Sequence, residues 1–391
     1  MQINLKILDK NINFTNILSN EGKNVCISLD EEDYFDDVIG VFNLKSRKTP
    51  KKYHEMSTFL NLTRKEELLS IPRSELNKNL ILLKEELEKT LQNNPTNENY
   101  IYRIIKTREF IKSFYPLKVN KEWINDYINK IDSNFHEEIE KTKKFLETDE
   151  FSRIKTIDYN ISSSITGRMS VKKELPNVLT ISNNIKGGYL PYSDEYDLYE
   201  ADITSSEPQI ALITIGKELP DDIYLDISKS VGNKLSRQQS KLLTLQLLYG
   251  KRCFEEINLP KIEIKNFLYK VKDYFEYDKL LNIIKSNINS GVMRNYFGRP
   301  IYLTNEFHDS LLINYYLQSS SVDFAVEIFS KFCEDNKEEV FPHFLKHDAI
   351  TFSIKKDSQL LRKESCLPLF FEGRKISNKI TKMNWNEIKI L

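Results

Sequence analysis

The chain has 391 residues, with 57 Lys plus Arg against 57 Asp plus Glu and a formal net charge of zero. At 29% charged and 40% hydrophobic it has the composition of a soluble globular protein with room for roughly two or three subdomains. Cys26, Cys253, Cys333 and Cys366 form no CxxC pair, which argues against a disulfide framework or a zinc module, and no apolar run reaches the roughly 18 residues of a membrane span.

Residues 1–72 read as a small N-terminal region without an evident role. The opening MQINLKILDKNINF lacks the apolar core of a signal peptide, NVCISLD has the look of a strand, and KKYHEMSTFLNL of another short element. Asp30 and Glu32 form a D-x-E after that strand and are read as surface carboxylates. Residues 73–156 turn helical. LILLKEELEKTL, YIYRIIKTREFIKSF and WINDYINKIDSNFHEEIEKTKKFL carry apolar residues at three- and four-residue spacing. PTNENY is expected to separate the first two and Pro116 to end the second.

Between 157 and 215 small polar residues, Gly187-Gly188, Pro176 and Pro191 punctuate short extended pieces, and YDLYEADIT reads as a strand entering a buried site. Residues 216–290 are helical again. From 291 to 391, FGRPIYL is extended, LLINYYLQSSSVDFAVEIFSKFCED makes a long helix, and FPHFLKH with AITFSI makes a strand pair. Helices, sheet, inserted helices and resumed sheet describe an α+β protein.

Three segments carry candidate chemistry. ISKSVGNKLSRQQSKLLTLQLLYGKRCF holds six basic residues and no acid. On a helix, Arg237, Lys241, Leu245 and Tyr249 fall at four-residue steps on one face, where two cations one turn apart can grip adjacent phosphates, and Gly250 ends the helix. The plainer reading is a solvated basic face. Asp202 lies where a strand runs into a helix that Ser205 or Ser206 caps, with Pro208 in its first turn; the plainer reading is a turn aspartate. His347-Asp348 sits between two apolar runs, as the turn of a hairpin would. His343 and His347 are spaced wrongly for zinc in a strand and have no third soft ligand nearby. Nucleotidyl transfer would unite these pieces. It needs carboxylates to hold two divalent ions about 3.5–4 Å apart, and cations for a triphosphate.

Several strings resemble, in order, the motifs of the family A DNA polymerases, the group of bacterial DNA polymerase I. TGRMS with PNV is similar to TGRLS…PNLQ, which implies a primer-template minor-groove contact for Arg168. ADITSSEPQIAL resembles motif A, ADYSQIELRIL, implying Asp202 as a metal ligand and Glu207 as the residue that crowds the sugar 2′ position. RQQSKLLTLQLLYG resembles motif B, RxxxKxxxFGxxYG. It assigns Arg237 and Lys241 to the triphosphate, with Lys241 as the proton donor to pyrophosphate. It assigns Leu245 to base stacking and Tyr249 to the insertion site. DDIYLDISKSVG resembles the DIH segment, with Tyr224 in place of a phosphate-contacting histidine, and FGRPIYL resembles GRRRYLP. INYYLQSSSVDF is similar to INAPMQGTAADI, placing Asn314 and Gln318 by the nascent base pair. KHDAITF resembles motif C, VHDELVF, making Asp348 the second metal ligand and His347 a primer-terminus contact.

The resemblance implies a right-hand polymerase with an antiparallel-sheet palm at 157–215 and 291–391, helical fingers at 216–290 and a helical thumb at 73–156. It also implies two Mg2+ ions (or Mn2+), with primer-template DNA and dNTPs as partners; no membrane partner is expected, since no long apolar run is present. Leu245 replaces an aromatic, and Ala349 stands where the family has Glu, leaving two strong carboxylates. Such drift points to a phage, plasmid or mobile element acting in the cytoplasm of a bacterial host. The span before residue 73 is too short for a proofreading exonuclease, so none is expected. The rivals are a single-subunit RNA polymerase, which uses Gly where Glu207 stands, and a catalytically silent polymerase-like binding protein.

Overall fold

The computed structural model describes the strand backbones 2–8, 13–20 and 23–28, residues 37–38 and 40–43, and scattered positions from 82 to 90. It further describes residues 96–250, 254–303, 307–361 and 366–383. Asp30 and Glu32 lie outside the described residues. The chain divides into two compact units, Met1–Arg108 with Gly298–Pro300, and Glu109–Phe297 with Ile301–Leu391.

In the first unit, β1 (Gln2–Leu8), β2 (Asn13–Asn20) and β3 (Lys23–Ser28) form an antiparallel meander. Helix α1 (Thr96–Lys112) buries Tyr100, Ile101, Ile104 and Ile105, a three-and-four spacing that puts one face inward. The helix begins at Thr96, so most of PTNENY lies inside it rather than before it. Arg108 is buried and donates from Nε (2.8 Å) and Nη2 (2.6 Å) to Asp37 Oδ2, a charge that this depth tolerates only when paired.

In the second unit, the stretch WINDYINKIDSNFHEEIEKTKKFL forms two helices. Helix α2 (Lys121–Lys130) is capped by Asn120, whose side chain accepts from the Trp123 N–H. It stops because Asp132 Oδ1 takes the Asn134 N–H at 2.9 Å and forms a turn, after which α3 (His136–Lys143) begins. Gly187 and Gly188 are required by close packing. A Cβ at Gly187 would lie 2.4 Å from a carbon of the Trp123 ring, and one at Gly188 2.8 Å from another.

The central sheet has four antiparallel strands in the order β9-β10-β6-β11: β6 (Tyr196–Ile203), β9 (Val340–Lys346), β10 (Ala349–Lys355) and β11 (Asn378–Lys382). Before β6 a small hairpin joins β4 (Tyr159–Asn160) to β5 (Ser170–Val171). After β6 come α4 (Ser206–Thr214), α5 (Ile223–Ser230), α6 (Arg237–Tyr249), α7 (Lys261–Tyr274) and α8 (Tyr277–Ser286). Strands β7 (Ile288–Asn289) and β8 (Val292–Arg294) make a short hairpin ahead of the 27-residue α9 (Asp309–Asp335). Helix α9 packs on the sheet face that carries Phe352, with Phe332 edge-on to it at 5.7 Å. Strand alternation puts Asp202 and Glu200 on the opposite face.

Candidate active site

Strands β9 and β10 are joined by the two residues His347 and Asp348, and His347 adopts a left-handed φ of 58°. The register aligns Ala349 with Asp202, and the Ile203 N–H donates to the Asp348 carbonyl at 2.9 Å. The two aspartates therefore end adjacent strands at one edge of the sheet. Packing strips water from Asp202 although its side chain reaches solvent. That, with the Asp348 and Glu200 charges beside it, pushes its pKa up to about 6. Burial also raises Asp348, against the pull of the Arg168 guanidinium. Lys186 holds both oxygens of Glu200, at 2.7 and 2.8 Å.

A cavity of about 180 Å³ opens beside this edge. Arg168, Glu207, Gln318, His347 and Asp348 line it, together with Tyr159. Arg168 comes from the β4–β5 loop and approaches Glu207 Oε1 at 3.5 Å. Tyr249, the last residue of α6, donates its hydroxyl to Glu207 Oε2 at 2.5 Å. Burial raises the Glu207 carboxyl, and these two partners oppose the shift. Burial likewise lowers His347, aided by Arg168 and Lys346. Gln318 accepts from Thr166 at 2.8 Å, while Asn314 is half-buried one turn earlier on α9.

Helix α6 is fixed by local signals. Ser236 and Gln239 form a capping box, with Ser236 Oγ accepting from the Gln239 N–H (3.2 Å) and Gln239 Oε1 from the Ser236 N–H (2.8 Å). Gly250 closes it at φ 67°. Arg237 at its start is ion-paired, its Nε 2.7 Å from Asp222 Oδ2, and its guanidinium lies over the Tyr224 ring at 5.3 Å. Tyr224 is buried beneath Arg237 rather than exposed to take a phosphate itself. Lys241 is exposed and Leu245 half-buried.

Two local expectations need correction. Ser205 does not cap α4 through its side chain, because it is left-handed (φ 55°, ψ 43°) and capping needs an extended backbone. Its hydroxyl instead meets Tyr224. Ser206 does not cap either, and hydrogen-bonds Ser321 of α9. His343 is a buried core residue. Its Nδ1 lies 3.1 Å from the Tyr115 carbonyl and its Nε2 2.8 Å from Ser353 Oγ, and burial brings its pKa down to about 4.

Two contributors to the site were not singled out in the sequence. The Tyr159 hydroxyl donates to the Leu345 carbonyl at 2.5 Å and accepts the Leu345 N–H at 3.0 Å, satisfying the outer edge of β9 just before His347. No sequence signal marks it. Asp222 had a signal, an Asp ahead of a helix, and it does cap α5.

Among the described residues no three His, Cys, Asp or Glu side chains gather as a ready metal cage. The Asp202–Asp348 pair still suits a divalent cation, because such an ion would offset both the lost hydration of Asp202 and its repulsion by Asp348, and Mg2+ sites commonly use one or two carboxylates plus substrate phosphates.

No protein-family model and no curated protein matches the sequence. Among solved structures the chain is similar to "POL domain of Pol1 from M. smegmatis complex with DNA primer-template and dNTP". The identity is 12% and the TM-score 0.55, over 89% of this chain and 81% of that chain. At that identity the likeness establishes the fold, and the fold is that of a polymerase domain.

Proposed function

We propose that the chain is a template-directed DNA polymerase of the family A type, joining a dNTP to a primer 3′-hydroxyl. The observation that carries this reading is the convergence of Asp202 and Asp348 on adjacent strand ends, beside a cavity that Arg168, Glu207 and His347 line. The similar M. smegmatis domain binds primer-template and dNTP, and the same two ligands are proposed here. In this reading the four-stranded sheet is the palm, α5 to α8 the fingers and the helices before β4 the thumb.

Asp202 and Asp348 would hold the Mg2+ ions (Mn2+ as a substitute), whose chemistry is acidification of the primer hydroxyl and neutralisation of the leaving pyrophosphate. The remaining work falls to side chains. Arg237 and Lys241, one turn apart on α6, bind the triphosphate, and the exposed Lys241 ammonium donates a proton to pyrophosphate. Glu207 is held by Tyr249 and Arg168 and fills the space a ribose 2′-hydroxyl would need, which favours deoxynucleotides over the RNA-polymerase alternative. Arg168, Gln318 and His347 face the primer-template, Asn314 sits a turn away, and Leu245 offers an aliphatic surface to the base. Proofreading is not part of the proposal.

The test is extension of a labelled primer on a template with Mg2+, using dNTPs and rNTPs separately. Extension with dNTPs, lost in Asp348→Asn while primer-template binding persists, is the expected result. A wild-type protein that binds primed DNA yet adds no nucleotide would establish the silent binding protein instead.

A further inference from the structure

Asp222 occupies a position that its capping role alone does not explain. It is the N-cap of α5, with an extended backbone (φ −141°, ψ 105°), and its Oδ1 accepts the N–H groups of Tyr224 and Leu225 at 3.0 Å each. Those two bonds fix the plane of the carboxylate. The other oxygen, Oδ2, is then held where it takes the Arg237 Nε–H at 2.7 Å. Below the guanidinium lies the Tyr224 ring, at 5.3 Å, and the Tyr224 hydroxyl reaches Ser205, three residues beyond Asp202. The arginine is thus set by a capped carboxylate on one side and a buried ring beneath, and that ring is tied to the end of the strand that carries Asp202.

We propose that Asp222 is a positioning residue for nucleotide binding. By engaging Nε alone, it turns the two terminal guanidinium nitrogens toward the polyphosphate of the incoming nucleotide. This rests on the polymerase reading above. A guanidinium grips phosphate best through two parallel N–H groups, and a side chain already ordered loses little freedom on binding. The opposite arrangement, a latch in which Asp222 competes with phosphate, would have the ion pair weaken nucleotide binding.

Asp222→Asn separates these roles, because Asn caps a helix as well as Asp while losing the charge that holds Arg237. Steady-state primer extension should show the KM for dNTP raised roughly three- to fivefold, as suits a half-exposed ion pair, with the loss in kcat/KM carried by KM. Pyrophosphate product inhibition should weaken in parallel, and the Kd for primer-template should not move. In an Arg237→Ala background the Asn substitution should add nothing to KM. An unchanged or lowered KM in Asp222→Asn, or an equal further rise in the Arg237→Ala background, overturns the proposal. Wild-type protein that extends no primer removes the polymerase reading and this inference with it, whereas active wild type with an indifferent Asp222→Asn removes the inference alone.

Discussion

Replacing Asp202 with Asn should make the protein more stable in the absence of divalent metal while abolishing its activity. The Asp202 pKa stands at about 6 against 3.8 for an ordinary aspartate. At about 1.4 kcal/mol per unit this corresponds to about 3 kcal/mol of unfavourable interaction with the ionised form. The side chain reaches solvent, so screening leaves on the order of 1 kcal/mol. The sign follows from linkage. A carboxyl whose folded pKa is raised contributes stability that is complete below about pH 4 and lost as pH climbs through about 6. At pH 7.5 the wild type therefore carries the full penalty, and Asn, of nearly the same shape, carries none. Thermal unfolding in EDTA at pH 7.5 should give Asp202→Asn a Tm about 1–2 °C above wild type for a chain of this size, with the gap roughly halved at pH 5. Millimolar Mg2+ should raise the wild-type Tm and leave the variant's unmoved, since only a folded site with both carboxylates binds the ion well. A variant less stable than wild type in EDTA, or a gap that ignores pH, would show that burial and the neighbouring carboxylates do not penalise the ionised Asp202.

The other outcomes concern separate parts of the second unit. Glu207→Ala should cut the preference for dNTP over rNTP, measured as a ratio of kcat/KM, by at least about tenfold, and an unchanged ratio would deny Glu207 the gating role. Lys241→Ala should lower kcat about 100-fold with primer-template Kd intact, and a loss confined to DNA binding would instead make it a phosphate-backbone contact. His343→Ala should cost about 2–4 kcal/mol in denaturant unfolding at pH 7.5, since it empties the space of a buried ring and removes the partner of the Tyr115 carbonyl and one of the two partners of the Ser353 hydroxyl. His343 is depressed to about 4 by burial, so the stability it contributes is full above pH 6.5 and drains as pH falls through about 4. The deficit of His343→Ala should therefore shrink over that window, and a constant deficit would mean the ring is not held neutral.

What the sequence determined by itself was local. Gly250 was read as the end of α6 and does end it, and the Ser236–Gln239 capping box that starts the helix acts, like Gly250, through hydrogen bonds a few residues long. The His347-Asp348 turn was likewise legible, since two apolar runs separated by two residues have little choice but to pair. The break at Asp132 leaves no mark in the apolar spacing, which continues across it while one side chain turns the backbone. The left-handed backbone of Ser205 runs against the preference of serine itself, and so is not legible from its residue type. Only the tertiary structure decided which distant groups meet. The Tyr159 hydroxyl completes the edge of β9 from 186 residues away, and Asp222 takes the Arg237 Nε–H across 15 residues. The register of β6 against β10 sets Asp202 beside the His347-Asp348 turn. Such pairings are chosen by closing long loops against every competing partner in the chain, a selection that no short window of residues contains.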